Sequence, residues 1–314
     1  MKSTHSDLIH ATDPPPVVIS GELRSNIVGV FGAEGAKWLD ALPELLAHLA
    51  HHWRIQIHRP FPRLSYNYVA PATTEKGARV VLKTGVPGRD HSREVRALRK
   101  YAGRASVRVL RASFRLGAIL LECVEPGTML TDIEDDEKAT RIAADCIRQL
   151  YTPLTGDHRI PDVKSWAIGL TRLRRRFGGG TGPLPAAHVE RAEQLFSELF
   201  TSTTEKVLLH GDLQHYNILR AGDTWKVIDP KGMSGDPAYE CGAWLRNPDN
   251  LLTRSDLPEI MNRRIAIFSE VLGYDSVRIR NWAYAQAILS AWWCIEDNDD
   301  CLDSITIADA LYPP

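Results

Sequence analysis

Apolar residues recur at steps of three and four over residues 33–53, where tryptophan and leucine side chains fall on one face of a helix. This spacing predicts an amphipathic helix that packs against a core. Short runs rich in β-branched and aromatic residues predict strands of an antiparallel sheet at residues 55–57, 66–70, 79–83, 107–110 and 118–121. A helical pattern over residues 92–101 interrupts these strands. The amino-terminal part is therefore expected to contain strands, one helix, and then further strands.

The pattern changes at Pro126-Gly127, which breaks the chain after an apolar strand. Beyond it, helices are predicted near residues 137–151, 165–177, 186–200 and 282–295, with a loop region at 210–236. The predicted fold class is α+β. It has an amino-terminal lobe at residues 17–124 and a mainly helical lobe at 125–314. Residues 1–16, which include three consecutive prolines, are predicted to form a flexible tail.

Composition narrows the class of partner. The 314 residues carry 38 basic and 39 acidic side chains, and this balance does not favour nucleic acid or an acidic membrane surface. No apolar stretch approaches the length of a membrane span. The five cysteines form no Cys-x-x-Cys pair, and the amino terminus has no basic start followed by an apolar run. We therefore expect reduced cysteines, no signal peptide, a cytoplasmic location and a small-molecule partner.

The segment at residues 207–229 carries the most specific chemistry. Asp212 is followed five positions later by Asn217, and Asp229 ends the next apolar run. Phosphoryl transfer requires a carboxylate that accepts the proton of the attacking hydroxyl and oxygen ligands that hold Mg²⁺. Asp212 is therefore the candidate catalytic residue, and Asn217 and Asp229 are the candidate metal ligands. Each residue alone is also typical of turns and strand ends, whereas their order and spacing favour the functional interpretation.

Three motifs carry a resemblance to a known family. They are H-G-D-x₄-N from His210, I-D-P-K-G from Ile228 and G-D-P-A-Y-E from Gly235. Together they resemble the aminoglycoside phosphotransferase family, and within it the streptomycin 6-kinase and hydroxyurea kinase branch. The resemblance covers nearly the whole chain. It implies a protein-kinase-like, two-lobed fold, ATP and Mg²⁺ bound between the lobes, and transfer of the γ-phosphate to an alcohol, as in antibiotic resistance.

The same resemblance implies nucleotide-binding residues in the amino-terminal lobe. Lys83 ends an apolar run and would contact the α- and β-phosphates, with Glu94 on the next helix as its ion-pair partner. Ser65 lies where a glycine-rich phosphate loop is expected, although no G-x-G-x-x-G is present. The main chain of Glu122 and Val124 would meet the adenine edge. Alternatively, Lys83 and Glu94 are surface charges, and the segment from Glu122 is a buried strand end.

An aminoglycoside acceptor is polycationic, so its pocket should present carboxylates. The candidates are Asp236, Glu240, Glu296 and Asp297. The last two belong to an acidic cluster at residues 296–303 and lie nearest the apolar helix, whereas the other acids of the cluster are expected to face solvent. A solvated acidic loop is the alternative interpretation of that cluster.

Two other functions remain open at this point. The first is a kinase of another small acceptor, such as hydroxyurea, an amino alcohol or a sugar, since the phosphate motifs do not determine the acceptor. The second is a catalytically inactive, kinase-like binding protein. That hypothesis predicts the loss of at least one phosphate or metal residue, yet Lys83, Asp212, Asn217 and Asp229 are all present. The sequence makes no prediction of oligomeric state.

Overall fold

The computed structural model describes residues 17–154, 159–248, 251–252 and 254–312. The chain divides into two compact units. The first unit comprises the chain up to His91 together with Val109–Cys123, and the second comprises Ser92–Arg108 and the chain from Val124 onward. The tail predicted at residues 1–16 lies outside the described residues.

The first unit begins with helix α1, Gly21–Trp53, which is longer than the helix predicted from residue 33. Ser20 caps its start, because the Ser20 hydroxyl accepts a hydrogen bond from the Leu23 amide at 3.1 Å. The helix turns sharply at Gly32, whose φ of 56° lies in the left-handed region that glycine tolerates. The apolar stripe predicted for this helix is buried in the core of the unit.

A five-stranded antiparallel sheet completes the first unit. Its strands are β1 (Ile55–Ile57), β2 (Tyr68–Thr74), β3 (Arg79–Thr84), β4 (Val109–Ser113) and β5 (Ala118–Glu122). They are ordered β1-β2-β3-β5-β4. Burial alternates along β2, which places one face of the sheet against α1 and the apolar core.

The strand predicted at residues 66–70 is displaced, since β2 continues through Pro71. A proline usually ends a paired strand because it has no amide donor. Here the Pro71 carbonyl accepts from the amide of His58, just beyond the end of β1. The proline nitrogen faces that same side, so the ladder between β2 and β3 loses no donor.

The second unit is mainly helical. Its helices are α2 (Arg89–Tyr101, whose first residues belong to the first unit), α3 (Asp136–Leu150), α4 (Lys164–Arg176), α5 (Ala186–Ser202), α6 (Cys241–Leu245), α7 (Leu257–Leu272), α8 (Ser276–Glu296) and α9 (Leu302–Leu311). The predictions for α3, α4 and α5 are confirmed to within two residues at each end. No helix in the described ranges is both long and apolar enough to cross a bilayer.

Residues 92–108 group with the second unit, whereas the sequence analysis placed them in the first lobe. Tyr101 at the end of α2 is fully buried there and donates to the Leu208 carbonyl at 3.3 Å. The Val107 amide donates to the Val227 carbonyl at 3.1 Å. The strand predicted at 107–110 is therefore wrong in its start, because Val107 bonds within the second unit and β4 begins at Val109.

The second unit also contains short strands, β6 (Pro126–Met129), β7 (Val207–Leu209), β8 (Ile218–Ala221), β9 (Thr224–Val227) and β10 (Met233–Gly235). The last three lie inside the region 210–236 that was predicted as a loop. β6, β8 and β9 form one small sheet, and β7 pairs with β10. These pairings hold the two ends of the segment 210–232 at defined positions.

A buried arginine links three helices of the second unit. The Arg264 guanidinium on α7 donates to the Asp136 carboxylate at the start of α3, with Nε at 2.9 Å. It also donates to the main-chain oxygens of Trp244 at 3.0 Å and Asn247 at 2.7 Å. Burial opposes ionisation of Asp136, but hydrogen bonds and charge from Arg264 and Arg263 outweigh it, so the pKa of Asp136 lies below its usual value.

We predict that Asp136→Asn lowers the free energy of unfolding by about 3 kcal/mol at neutral pH, because it leaves a buried arginine without its counterion. The depressed pKa means that this stabilisation is present above the usual aspartate pKa of 3.8 and is lost as the pH falls through the folded-state value. Urea unfolding at neutral and acidic pH measures both effects. Glu270→Gln, which removes the exposed bidentate partner of Arg141, is the control and should have a much smaller effect.

Candidate active site

The residues predicted to carry the chemistry lie in the second unit, in the loop between β7 and β8. Leu209 at the end of β7 pairs with Met233 of β10, and a 3₁₀ turn at His215–Asn217 leads into β8. Asp212 lies in the loop, and Asn217 lies at the end of the 3₁₀ turn, immediately before β8. The paired strands on both sides fix where the loop leaves one small sheet and enters the other.

Asn217 joins this loop to the segment that carries Asp229. Its Nδ2 donates to the Asp212 carbonyl at 2.8 Å and approaches the Asp212 carboxylate at 3.4 Å. Its main-chain oxygen accepts from the Ile228 amide at 3.0 Å, immediately before Asp229. The structure therefore brings the three predicted residues to one place, with Asn217 between the two aspartates.

A second set of bonds crosses between the same two segments. The His210 ring Nε2 lies 2.8 Å from the Ile228 carbonyl, and the Lys231 amide donates to the His210 carbonyl at 2.7 Å. Between these contacts Asp229 adopts a left-handed backbone with φ of 61°, a conformation that aspartate tolerates better than most residues. His210 thus supports the loop by hydrogen bonding.

Glu240 lies beneath the loop and not in a substrate pocket. Its two carboxylate oxygens accept hydrogen bonds from consecutive amides, His210 at 2.6 Å and Gly211 at 2.9 Å. Only 5% of Glu240 is exposed. Burial raises the pKa of Glu240 to about 7, against the opposing effect of the two amides. The buried carboxylate fixes the loop conformation, and both of its oxygens are engaged by backbone amides instead of facing a substrate.

Asp236 is likewise committed to the fold. Its carboxylate forms an ion pair with Arg278 of α8, accepts from the Thr203 hydroxyl at 3.0 Å and caps the turn at Ala238, whose amide donates at 2.9 Å. Only 4% of Asp236 is exposed. A carboxylate that is buried and already paired with an arginine cannot also bind a cationic substrate, so Asp236 does not serve as a substrate ligand.

The remaining substrate candidates lie at the end of α8. Glu296 forms a bidentate pair with Arg172 of α4, at 2.8 and 2.7 Å. Asp297 is exposed at the end of the helix. Neither lines the cavity beside Asp212, whereas Asp303 on α9 does. Asp303 belongs to the part of the acidic cluster that was expected to face solvent.

A cavity of about 320 Å³ opens beside Asp212 within the second unit. Besides Asp212, its lining includes Arg246, Ser290, Trp293, Asp303 and Ser304. The Trp293 ring contacts Trp166 edge to face, with ring centroids 5.8 Å apart. The volume lies near the lower end of the range for small-molecule sites. A hydroxyl held in this cavity would be close to the Asp212 carboxylate.

Several charges act on the Asp212 carboxylate. Burial raises its pKa, the positive charges of Lys231 and Arg246 oppose this, and the negative charge of Asp229 adds to the rise. Lys231 Nζ lies 3.6 Å from Asp212 Oδ2. Sequence reasoning missed both cations. The position of Lys231, two residues after Asp229, was a signal for it, whereas only the folded chain brings Arg246 to Asp212.

The donor set at this place fits Mg²⁺. With Nδ2 of Asn217 donating to Asp212, the Asn217 amide oxygen is the atom left to bind a metal. Asp229 supplies a carboxylate on the adjoining segment. No group of three or more histidine, cysteine or acidic ligands occurs among the described residues. A site with one carboxylate and one amide oxygen suits Mg²⁺, which takes further ligands from water and substrate phosphates.

The nucleotide candidates are distributed over both units. Lys83 is buried on β3 between Val69 and Ile119. The pKa of His91 is lowered to about 4, mainly because His91 is buried and secondly because of the positive charge of Lys83. Ser65 is exposed just before β2, and Glu122 ends β5. In the second unit, Glu94 is buried on α2, and Val124 lies half-buried where that unit resumes. Their nucleotide contacts remain predictions.

Comparison with known proteins finds similarity to a family of antibiotic resistance kinases. Residues 52–298 match the model of the family described as aminoglycoside/hydroxyurea antibiotic resistance kinase. The streptomycin 6-kinase of Streptomyces glaucescens is 29% identical over 309 residues, spanning 94% of this chain and 97% of that protein. The hydroxyurea phosphotransferase of Kitasatospora aureofaciens is 27% identical over 94% of this chain and 85% of that protein.

The fold also matches solved structures. A thermostable mutant of aminoglycoside phosphotransferase APH(4)-Ia, in ternary complex with ADP and hygromycin B, superposes with a TM-score of 0.60 at 13% identity. The match covers 84% of this chain and 97% of that chain. It shows that the α+β, protein-kinase-like fold expected from the sequence is correct.

We predict that Glu240→Gln lowers the free energy of unfolding by about 1–3 kcal/mol, because an amide NH₂ then faces a backbone N–H where an oxygen stood. A second effect depends on pH. The raised pKa means that the contribution of Glu240 to stability is present below its unfolded-state pKa of 4.5 and is lost as the pH rises through about 7. The variant lacks this titration, so its stability should fall less over that range.

Urea unfolding at several pH values on both sides of neutrality measures this difference in slope. Glu190→Gln, an exposed glutamate on α5, is the control. An unchanged pH dependence in the Glu240 variant would contradict the assignment of the buried, titrating carboxylate.

Proposed function

We propose that this chain, which belongs to the aminoglycoside/hydroxyurea antibiotic resistance kinase family, transfers the γ-phosphate of ATP to a hydroxyl of streptomycin or a related aminoglycoside. The main support for this proposal is that Asp212, Asn217 and the segment that carries Asp229 meet beside a cavity. Kinase activity is the established chemistry of the family, and the acceptor is the part proposed here.

In the proposed reaction Asp212 orients the acceptor hydroxyl and receives its proton. The acceptor oxygen forms a bond to the γ-phosphorus as the bond to the β–γ bridging oxygen breaks, and ADP leaves. Lys231 and Arg246 oppose the effect of burial on Asp212 and favour the ionised carboxylate that this role requires. The 3.6 Å approach of Lys231 supports a further role beside the transferring phosphoryl group.

Asn217 and Asp229 are proposed to hold Mg²⁺. When bound, this ion would neutralise charge on the phosphates. The bonds from Asn217 to both neighbouring segments keep its amide oxygen and the Asp229 main chain in fixed relation. The protein thus supplies a prearranged oxygen pair before nucleotide arrives.

We also propose that Lys83 contacts the α- and β-phosphates, with Glu94 as its ionic partner. Burial of Lys83 on a central strand supports this role, because a buried lysine is restricted in position. Ser65 is the proposed phosphate contact, and the main chain of Glu122 and Val124 would bind the adenine edge. These five assignments follow the family pattern.

Hydroxyurea is the second candidate acceptor. The phosphotransferase of Kitasatospora aureofaciens supports it at an identity close to that of the streptomycin kinase. Asp303 in the cavity beside Asp212 favours a cationic acceptor over a neutral one. An amino alcohol would satisfy the same charge, whereas a simple sugar would leave Asp303 without a partner from the substrate.

We predict that Asp212→Asn lowers kcat for phosphate transfer to streptomycin by about 10²- to 10⁴-fold, since the group that accepts the hydroxyl proton is lost. Binding of ATP with Mg²⁺ should change by no more than about twofold, because Asp212 makes no required nucleotide contact. Steady-state transfer, with hydroxyurea as a second acceptor, and calorimetric ATP binding measure the two effects.

Asp223→Asn, in the exposed turn between β8 and β9, is the matched control and should behave as wild type. Turnover retained by the Asp212 variant would remove this residue from its proposed role. Wild-type protein that phosphorylates hydroxyurea but no aminoglycoside would reverse the order of the two acceptors.

We predict that Lys231→Met lowers kcat at neutral pH by roughly tenfold or more, because a positive charge beside the reacting groups is lost. The charge of Lys231 lowers the pKa of Asp212, so its removal moves that pKa further up. Activity requires ionised Asp212, and the acidic limb of the pH–kcat profile should therefore shift to higher pH. Lys138→Met on the exposed face of α3 is the control. A lower kcat without a shifted profile would separate Lys231 from the titration of Asp212.

A further inference from the structure

The cavity beside Asp212 is lined by a positively charged side chain, Arg246. This is unexpected for a site that binds a polycation, because like charges repel. Arg246 lines this cavity at the end of α6 and donates to the Gly242 carbonyl at 3.3 Å. Arg246 and Asp212 line the same cavity, and the charge of each influences the ionisation of the other. An arginine side chain keeps its charge at any physiological pH.

The two carboxylates of the cavity differ in their neighbours. Asp212 has Lys231 at 3.6 Å and Arg246 nearby. Asp303 is exposed in the first turn of α9, and the ion pairs found among the described residues do not include it. The positive charges beside Asp212 offset its own negative charge and that of Asp229, so a cationic group in the cavity is attracted less strongly there than beside Asp303.

This difference matters because an aminoglycoside carries several cationic groups as well as hydroxyls. A catalytic carboxylate without cationic neighbours would pair with an ammonium or guanidinium group of the acceptor. Such a complex would be tight but unproductive, since the cation would occupy the position needed by the hydroxyl. Binding that is strong in the ground state and absent from the transition state does not speed the reaction.

We propose that Arg246 is a specificity-determining residue, which prevents cationic groups of the acceptor from pairing with Asp212 and leaves them to Asp303. The acceptor then presents an uncharged hydroxyl edge to Asp212, with Trp293 as the apolar wall of the cavity. This inference deepens the proposed function and rests on it, because it concerns how an aminoglycoside is oriented for transfer.

The experiment compares wild type with Arg246→Gln, Asp303→Asn and the control Asp297→Asn, an exposed acid outside the cavity lining. Calorimetry measures streptomycin binding without nucleotide. Steady-state kinetics measure kcat and KM for streptomycin and for hydroxyurea, which is small and uncharged. The binding measurement does not depend on turnover, so a failure of this inference and a failure of the proposed activity give different results.

For Arg246→Gln, we expect streptomycin to bind about three- to tenfold more tightly and to turn over about tenfold more slowly. Hydroxyurea binding should not tighten, because it has no charge to pair with Asp212. A structural defect would instead weaken binding of both acceptors. Weaker streptomycin binding by a folded Arg246→Gln protein overturns the proposal.

For Asp303→Asn, we expect the Kd and KM for streptomycin to rise about tenfold, with kcat within about twofold of wild type. Hydroxyurea kinetics and the Asp297 control should be unchanged. Because Asp303 is exposed, this variant can overturn the proposal even if Arg246→Gln fails to fold. Wild-type affinity in Asp303→Asn, or no streptomycin binding by the wild type, overturns the proposal. Streptomycin binding without transfer would instead refute the proposed activity for that acceptor.

Discussion

The loop that carries the candidate catalytic residue, Asp212, depends on one buried carboxylate. Glu240 accepts hydrogen bonds from the amides of His210 and Gly211, the two residues before Asp212. Two consecutive amides can point at one side chain only if the backbone bends away, and Gly211 adopts φ of 80° at that bend. A Cβ at this position would lie 3.2 Å from the Trp166 ring. Glycine therefore permits both the bend and the aromatic contact, and Glu240 holds the resulting conformation.

Hydrogen bonds between neighbouring segments connect this loop to the other candidate site residues. Asn217 bonds to Asp212 on one side and to the main chain before Asp229 on the other. The next residues return Lys231 to within 3.6 Å of Asp212. Opposite charges thus meet at one place beside the cavity, where Asp212 is partly buried and Lys231 is exposed. A single arginine, Arg246, both influences the ionisation of Asp212 and lines the cavity beside it.

Much of the fold was predictable because hydrophobic period is a local property. The helices α3, α4 and α5 were predicted to within two residues at each end. Errors arose where a distant partner decides the outcome. Pro71 would end an isolated strand, but the pairing of β2 with β3 continues through it. The start of β4 was wrong because Val107 bonds to Val227, a residue far along the chain. Residues 92–108, expected in the first lobe, group with the second unit through contacts of the same kind.

For the site, the sequence by itself determined the candidate reacting set, since the spacing from Asp212 to Asn217 and the carboxylate at Asp229 are properties of a short segment and of the motif it resembles. It did not determine which acids serve the substrate. Asp236 and Glu240 resemble pocket ligands in sequence, yet burial against Arg278 and the loop amides commits them to support. Asp303 and Arg246 enter the cavity only through helix packing. A side chain's charge is set by its type, whereas its partner and its exposure are set by tertiary structure.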